Sequence, residues 1–275
     1  MELEDQFRAW SELTYSPDEP YDLEAVTPEA MNQAIIESLE VLHHYLGPAW
    51  LEREFLGSAS SHRSGLGFDE DPDWIGPIPL MRLNSLAHEL RQAESIAGFA
   101  PFVRGLRARS LLDATAELWA IRQCSIVGEG VRFFDPNGQP GRAPDAIAVL
   151  NGMEVAVEVK ARSELPIEAY SPSKVHSTLG SARRQLPKSG PSLIFLRIAP
   201  PWSEDEKTLV SIGDACTNFL RNTRRVNSVV LLLERRLPHP DGMAFKVASI
   251  AVANPAPRVE IPGVRDLFLD PEGDP

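Results

Sequence analysis

A chain of 275 residues with 43% hydrophobic and 24% charged residues has the make-up of a folded globular protein. No apolar run approaches the ~20 residues needed to span a bilayer, and two cysteines, Cys124 and Cys216, are too few for a disulfide framework or a zinc site of their own. The net charge of −12 counts against a polyanion-binding protein only until its distribution is seen: residues 1–100 carry 19 acidic and 5 basic side chains, 101–250 carry 15 and 20, and 251–275 carry 5 and 2. The acidity lies at the front, and the middle is mildly basic and compatible with phosphate binding.

The opening MELEDQFRAW lacks the basic and apolar regions of a secretion signal, so the expected location is cytoplasmic. Residues 1–27 read as a short acidic helix followed by a stretch rich in Pro and Asp. Thr27-Pro28-Glu29 is a helix start, with Thr as N-cap, Pro in the first turn and an acid near the positive dipole end. That helix runs to about Leu46, burying Ile35, Leu39 and Leu42, and Gly47-Pro48 ends it. Helices are expected at Trp50–Leu56 and Leu80–Ile96, with a loop over 57–79. Residues 1–100 are therefore an acidic, mainly helical region.

The pattern changes after Phe102. Leu106–Cys124 is expected to be helical, with Leu111, Ala114, Leu118 and Ile121 on one face. Strands are expected at Val131–Phe134, Ala146–Leu150 and Met153–Val159, then a helix at Pro172–Gln185 and a buried strand at Leu193–Ile198. A helix at Glu204–Leu220 and strands at Ser228–Leu233 and Phe245–Ala253 follow. The order α-β-β-β-α-β-α-β-β predicts an α/β fold, a sheet with helices on its faces, over 101–275. Cys124 and Cys216 fall inside helices, as small buried hydrophobes.

Asn151-Gly152 between two strand-like runs is the strongest short-range hairpin signal. A two-residue turn pairs Leu150 with Met153, and counting outward sets Asp145 opposite Glu158. Cross-strand partners share a face of the sheet, and Lys160, two residues on, shares it too. Facing carboxylates repel unless compensated. A divalent cation such as Mg²⁺ or Mn²⁺ compensates them, polarises a phosphate and acidifies a bound water, while Lys160 steadies the water or the charge building on the phosphate. Asp145, Glu158 and Lys160 are therefore the candidate catalytic residues. Taken singly, Asp145 reads as a solvated strand start, and Glu158 with Lys160 as a weak surface ion pair.

Gly141-Arg142-Ala143-Pro144-Asp145, the hairpin, and Val157-Glu158-Val159-Lys160 together resemble the PD-(D/E)xK motif of restriction-endonuclease-like nucleases. The resemblance covers roughly half of the chain and no part of residues 1–100. It implies an αβββαβ core with a mixed sheet and a metal-dependent nuclease, acting on DNA by family prevalence. It implies metal ligation by Asp145, Glu158 and the backbone carbonyl of Val159. It adds Glu117, on the first core helix, as a further acid for metal or water, and Gln185, on the helix after the motif, as a completing side chain. A homodimer is an assembly common in such folds.

Arg142 and Arg162 flank the motif and are placed for substrate. Arg183 and Arg184, with Lys188, read either as phosphate contacts or as cations complementing a helix C-terminus. The competing readings are a catalytically inactive nuclease fold acting as a binding or scaffold module, and a regulatory protein. In the latter the acidic N-terminal region takes a protein partner or occludes the basic face. Comparing the full chain with one that starts near residue 101 addresses that last reading.

Overall fold

The computed structural model describes residues 5, 7, 28–56, 77–134, 143–161, 170–198, 200–239 and 242–268. Thr27, Arg142 and Arg162 lie outside the described residues. Helices α1 (Pro28–Leu46), α2 (Pro48–Leu56), α3 (Pro77–Ala93), α4 (Phe99–Leu106) and α5 (Leu111–Val127) come first. Strands β1 (Gly130–Phe133), β2 (Ala146–Leu150) and β3 (Met153–Ala161) follow. Then come α6 (Pro172–Gln185), β4 (Ser192–Ile198), the short α7 (Pro200–Ser203), α8 (Glu206–Arg221), β5 (Ser228–His239), β6 (Gly242–Ala253) and α9 (Val264–Leu267).

The protein is mixed α/β, with a six-stranded sheet whose strands lie in sequence order. β1, β2 and β3 pair antiparallel, β3–β4 and β4–β5 parallel, and β5–β6 antiparallel. The two parallel steps are those bridged by the long helices α6 and α8, because a parallel step needs a crossover.

Both faces of the sheet are covered. On one, Val155, Val157, Val159, Phe195 and Leu232 join Leu42, Leu86, Leu90, Leu118 and Ile121 of the early helices in one apolar cluster. On the other, Ile194, Leu196, Val229 and Leu231 meet Val175 and Leu179 of α6 and Ile212, Cys216 and Phe219 of α8. Central strands buried on both faces read as continuous apolar runs rather than alternations, and all seven residues of β4, SLIFLRI, are buried. Both cysteines are free and buried, and burial pushes each thiol up to about 12.

Arg197 is the polar exception in β4. It pairs with Glu234 of β5, which Arg82 of α3 also reaches at 3.0 Å. Burial opposes ionisation of Glu234, but Arg197 and Arg82 outweigh it and hold the carboxyl below its usual range. The early helices are thus joined to the sheet by a buried ion triad as well as by apolar contact.

Three expectations differ from the structure. In α1 Leu42 is buried as expected, but Ile35 and Leu39 are only half-buried. The helix expected over 106–124 is two helices: α4 ends at Leu106, and α5 begins at Leu111. Ser110 causes the break, its hydroxyl accepting from the Asp113 N–H at 3.2 Å as an N-cap. The last two strands are longer than expected, β5 reaching His239 and β6 beginning at Gly242. Glu234-Arg235-Arg236 hides the continuation, because a buried charge pair has no signature in hydrophobic periodicity. No helix among the described residues is long and apolar enough to cross a membrane.

Candidate active site

The hairpin between β2 and β3 sets the site. Asn151 (φ 50°) and Gly152 (φ 73°) both adopt positive φ, the requirement of a type I′ turn. Leu150 pairs with Met153, and the ladder runs in that register to Ala146 opposite Val157. There the last rung slips. The Asp145 N–H donates to the Val157 carbonyl at 2.9 Å, one residue short of Glu158, as at a β-bulge. The Asp145 carboxylate then crosses the strand end, and its Oδ2 accepts from the Val159 N–H at 2.8 Å.

Glu158 has no exposed side-chain surface. Lys160 Nζ donates to Glu158 Oε1 at 2.5 Å and to Gln185 Oε1 at 2.9 Å. The last residue of α6 therefore reaches Lys160 at the end of β3. Lys160 retains a third N–H, and its side chain is one-quarter exposed.

Glu117 arrives from α5, nearly buried. Its Oε1 accepts from Arg109, whose Nη1 also lies 3.9 Å from Asp145 Oδ1. A cavity of about 280 Å³ opens here, lined by Arg109, Asp113, Glu117, Asp145, Lys160 and Gln185 together with Val159 and Ala161. Asp145, Glu158, Lys160, Glu117, Val159 and Gln185 are thus brought to one place.

Other expected residues are not. Arg183 stacks over the Phe219 ring at 5.7 Å, and its carbonyl accepts from Arg225. Arg184 is exposed, and neither lines the cavity.

Arg109 and Asp113 were not foreseen. A weak signal existed for both: Ser110-Leu-Leu-Asp113 is a capping pattern that fixes where α5 begins. It places Arg109 at the helix mouth and Glu117 two turns in.

The electrostatics follow from three carboxylates beside two cations in a mostly buried space. Burial pushes the Glu158 carboxyl up to about 8, the Asp145 charge adds to the rise, and Lys160 and Arg109 oppose it. Burial raises Asp145 as well, against the pull of the Val159 N–H, Lys160 and Arg109. Glu117 Oε2 and Glu158 Oε2 are buried without a hydrogen-bond partner. Such atoms are costly unless a cation or proton meets them.

Among the described residues, no three Asp, Glu, His or Cys groups stand ready as a ligand set. Arg109, set between Glu117 and Asp145, and Lys160, on Glu158, hold the carboxylates instead. The donors nonetheless suit a hard divalent cation, which takes carboxylate and carbonyl oxygens and water; Glu117, which lines the cavity, and the fully buried Glu158 each keep one oxygen without a hydrogen-bond partner. Compared with protein-family models, curated proteins and solved structures, the chain matches none.

Proposed function

We propose that the chain is a metal-dependent nuclease of the PD-(D/E)xK kind, hydrolysing phosphodiester bonds in DNA. The observation that carries the proposal is the meeting of Asp145, Glu117 and Lys160 at one cavity, with Glu158 buried against Lys160 and one oxygen of each of Glu117 and Glu158 lacking a partner. The element order supports it: α5-β1-β2-β3-α6-β4 matches the αβββαβ order of that family's core. The preference for DNA is an analogy from family prevalence.

Asp145, Glu158, Glu117 and the Val159 carbonyl are the residues that would hold Mg²⁺ or Mn²⁺. The ion supplies Lewis acidity toward a phosphate oxygen and acidifies the attacking water. The Val159 N–H fixes the Asp145 carboxylate. Glu158 and Gln185 tether the Lys160 ammonium, leaving its third N–H to hold a water or a phosphate oxygen. The cations Lys160 and Arg109 favour the negative charge that builds in the transition state.

The test is a panel of linear, circular, single-stranded and branched DNA, and RNA, each with Mg²⁺ and with EDTA. The expected result is Mg²⁺-dependent cleavage of DNA that falls at least about a hundredfold in Asp145→Ala and in Lys160→Ala. Cleavage indifferent to both substitutions overturns the proposal. One observation favours a second reading, an inactive nucleic-acid-binding module: Arg109 and Lys160 already neutralise most of the carboxylate charge. DNA binding with no cleavage under any metal would select it.

A further inference from the structure

We infer that Arg109 is a resident cation that competes with the divalent ion for Glu117, and that α1 and α2 set its competitiveness by holding its backbone. The inference rests on the reading of the cavity as a metal site.

Arg109 belongs to the four-residue bend between α4 and α5, yet the bend is laced to the N-terminal helices. Trp50 Nε1 donates to the Arg109 carbonyl at 3.3 Å, and Arg53 Nη2 donates to the same oxygen at 3.0 Å. Arg53 Nη1 donates to the Arg107 carbonyl at 2.9 Å. In return, Arg107 Nη2 and Nε donate to the Tyr45 carbonyl at 3.1 and 3.2 Å. Three hydrogen bonds therefore hold the backbone of the bend from which the Arg109 guanidinium reaches into the cavity, and two more tie the Arg107 side chain to α1. Trp50 is buried, so this anchor is part of the core.

The guanidinium takes one oxygen of Glu117 and stands 3.9 Å from Asp145. It therefore sits on the carboxylates a divalent ion needs. To release the carboxylates to an ion, the guanidinium must move. The Arg109 side chain is 39% exposed, so the tip has solvent to swing into while the backbone stays pinned. Binding of the ion thus exchanges partners: Glu117 passes from guanidinium to metal, and the freed guanidinium remains at the cavity mouth, where a phosphate would enter. The acidic N-terminal region thereby acts on the site through hydrogen bonds to a loop.

Mn²⁺ binding to the full chain, followed by calorimetry, tests this without reference to cleavage. Arg109→Gln removes the charge but keeps hydrogen-bonding capacity, and it should bind Mn²⁺ roughly three- to tenfold more tightly, as expected for removing one partly exposed competing charge. Arg109→Lys keeps the charge and should stay within about twofold of the unaltered protein. Arg53→Ala loosens the anchor from outside the cavity and should tighten binding by about twofold. If Arg109→Gln does not fold, Arg53→Ala decides alone. A residue that merely braces the site would give the opposite sign, weaker binding on removal. Equal or weaker Mn²⁺ binding in Arg109→Gln and Arg53→Ala overturns this inference alone. Absence of Mn²⁺ binding by the unaltered protein overturns it together with the metal-site reading.

Discussion

Replacing Glu158 with glutamine should stabilise the protein in alkaline solution while abolishing its metal site. Ionised Glu158 is disfavoured in the fold: burial and the Asp145 charge push its carboxyl from 4.5 up to about 8. A pKa raised on folding contributes stability that is fully present below the unfolded value and is lost as pH climbs through the folded one. The window is therefore about pH 4.5 to 8. At ~1.4 kcal/mol per unit, a rise of that size makes ionisation cost about 5 kcal/mol more in the fold than in the unfolded chain, an upper bound because the site can relax or admit water. The amide introduced by Glu158→Gln does not titrate and still accepts from Lys160. In denaturant titrations the variant should match the unaltered protein near pH 5 and exceed it near pH 8 by about 2–5 kcal/mol. Mg²⁺ should stabilise the unaltered protein at pH 8 and leave Glu158→Gln unmoved. A constant difference between the two proteins across that range would refute the account of Glu158 as a buried, proton-holding acid.

Three stability predictions follow from the fold. Glu234→Ala leaves Arg197 buried with no partner, since its Nε and Nη1 already lack acceptors; thermal melting should report a loss of about 3–5 kcal/mol. Ser110→Ala removes the cap of α5 and should cost about 1 kcal/mol by denaturant titration. At Gly98 the backbone is left-handed (φ 86°), and a Cβ would lie 2.8 Å from the Phe133 carbonyl; Gly98→Ala should lower the denaturation midpoint by an amount equivalent to about 1–3 kcal/mol.

What could be read in the sequence was what depends on local chemistry. Asn151-Gly152 dictated the turn, and the turn dictated the register on which Asp145 and Glu158 were placed. The slip at the last rung was hidden, because a bulge arises from the environment of the strand end rather than from its composition. Leu193–Ile198 announced a buried strand, and every residue of β4 is buried. Phe99–Leu106 did not announce a helix, since Pro101 and Gly105 lower its propensity and burial of Phe99, Val103 and Leu106 overrides that. For Arg109 the neighbouring cap was the one local signal, and it did not suffice. The place of Arg109 in the site depends on Trp50 and Arg53, more than fifty residues earlier, and no local pattern encodes such an anchor. Gln185 was marked only by resemblance, and its bond to Lys160 depends on where α6 crosses the sheet.

The same anchoring determines how a role for residues 1–100 can be tested. A chain starting at residue 101 loses Leu42, Leu46, Trp50, Leu83, Leu86 and Leu90, all buried in the cluster that includes Leu118 and Ile121 of α5. At about 1.5–3 kcal/mol per large apolar side chain, even half of that burial, charged to contact with the remainder, approaches the roughly 5–15 kcal/mol that stabilises a typical domain. The cut also takes Arg82 from Glu234 and Glu89 from Arg122, and it strips the loop carrying Arg109 of its five bonds to α1 and α2. The truncated chain should therefore bind a hydrophobic dye, lose near-ultraviolet circular dichroism and unfold without a cooperative transition. Lost activity in such a fragment would report collapse of the α5 face, and gained activity is not expected. A truncated chain that melts cooperatively would show that the sheet and α5 suffice on their own. Failing that, point changes at Arg53, which leave the core in place, are the means of separating an N-terminal influence on the site from the support those helices give to the fold.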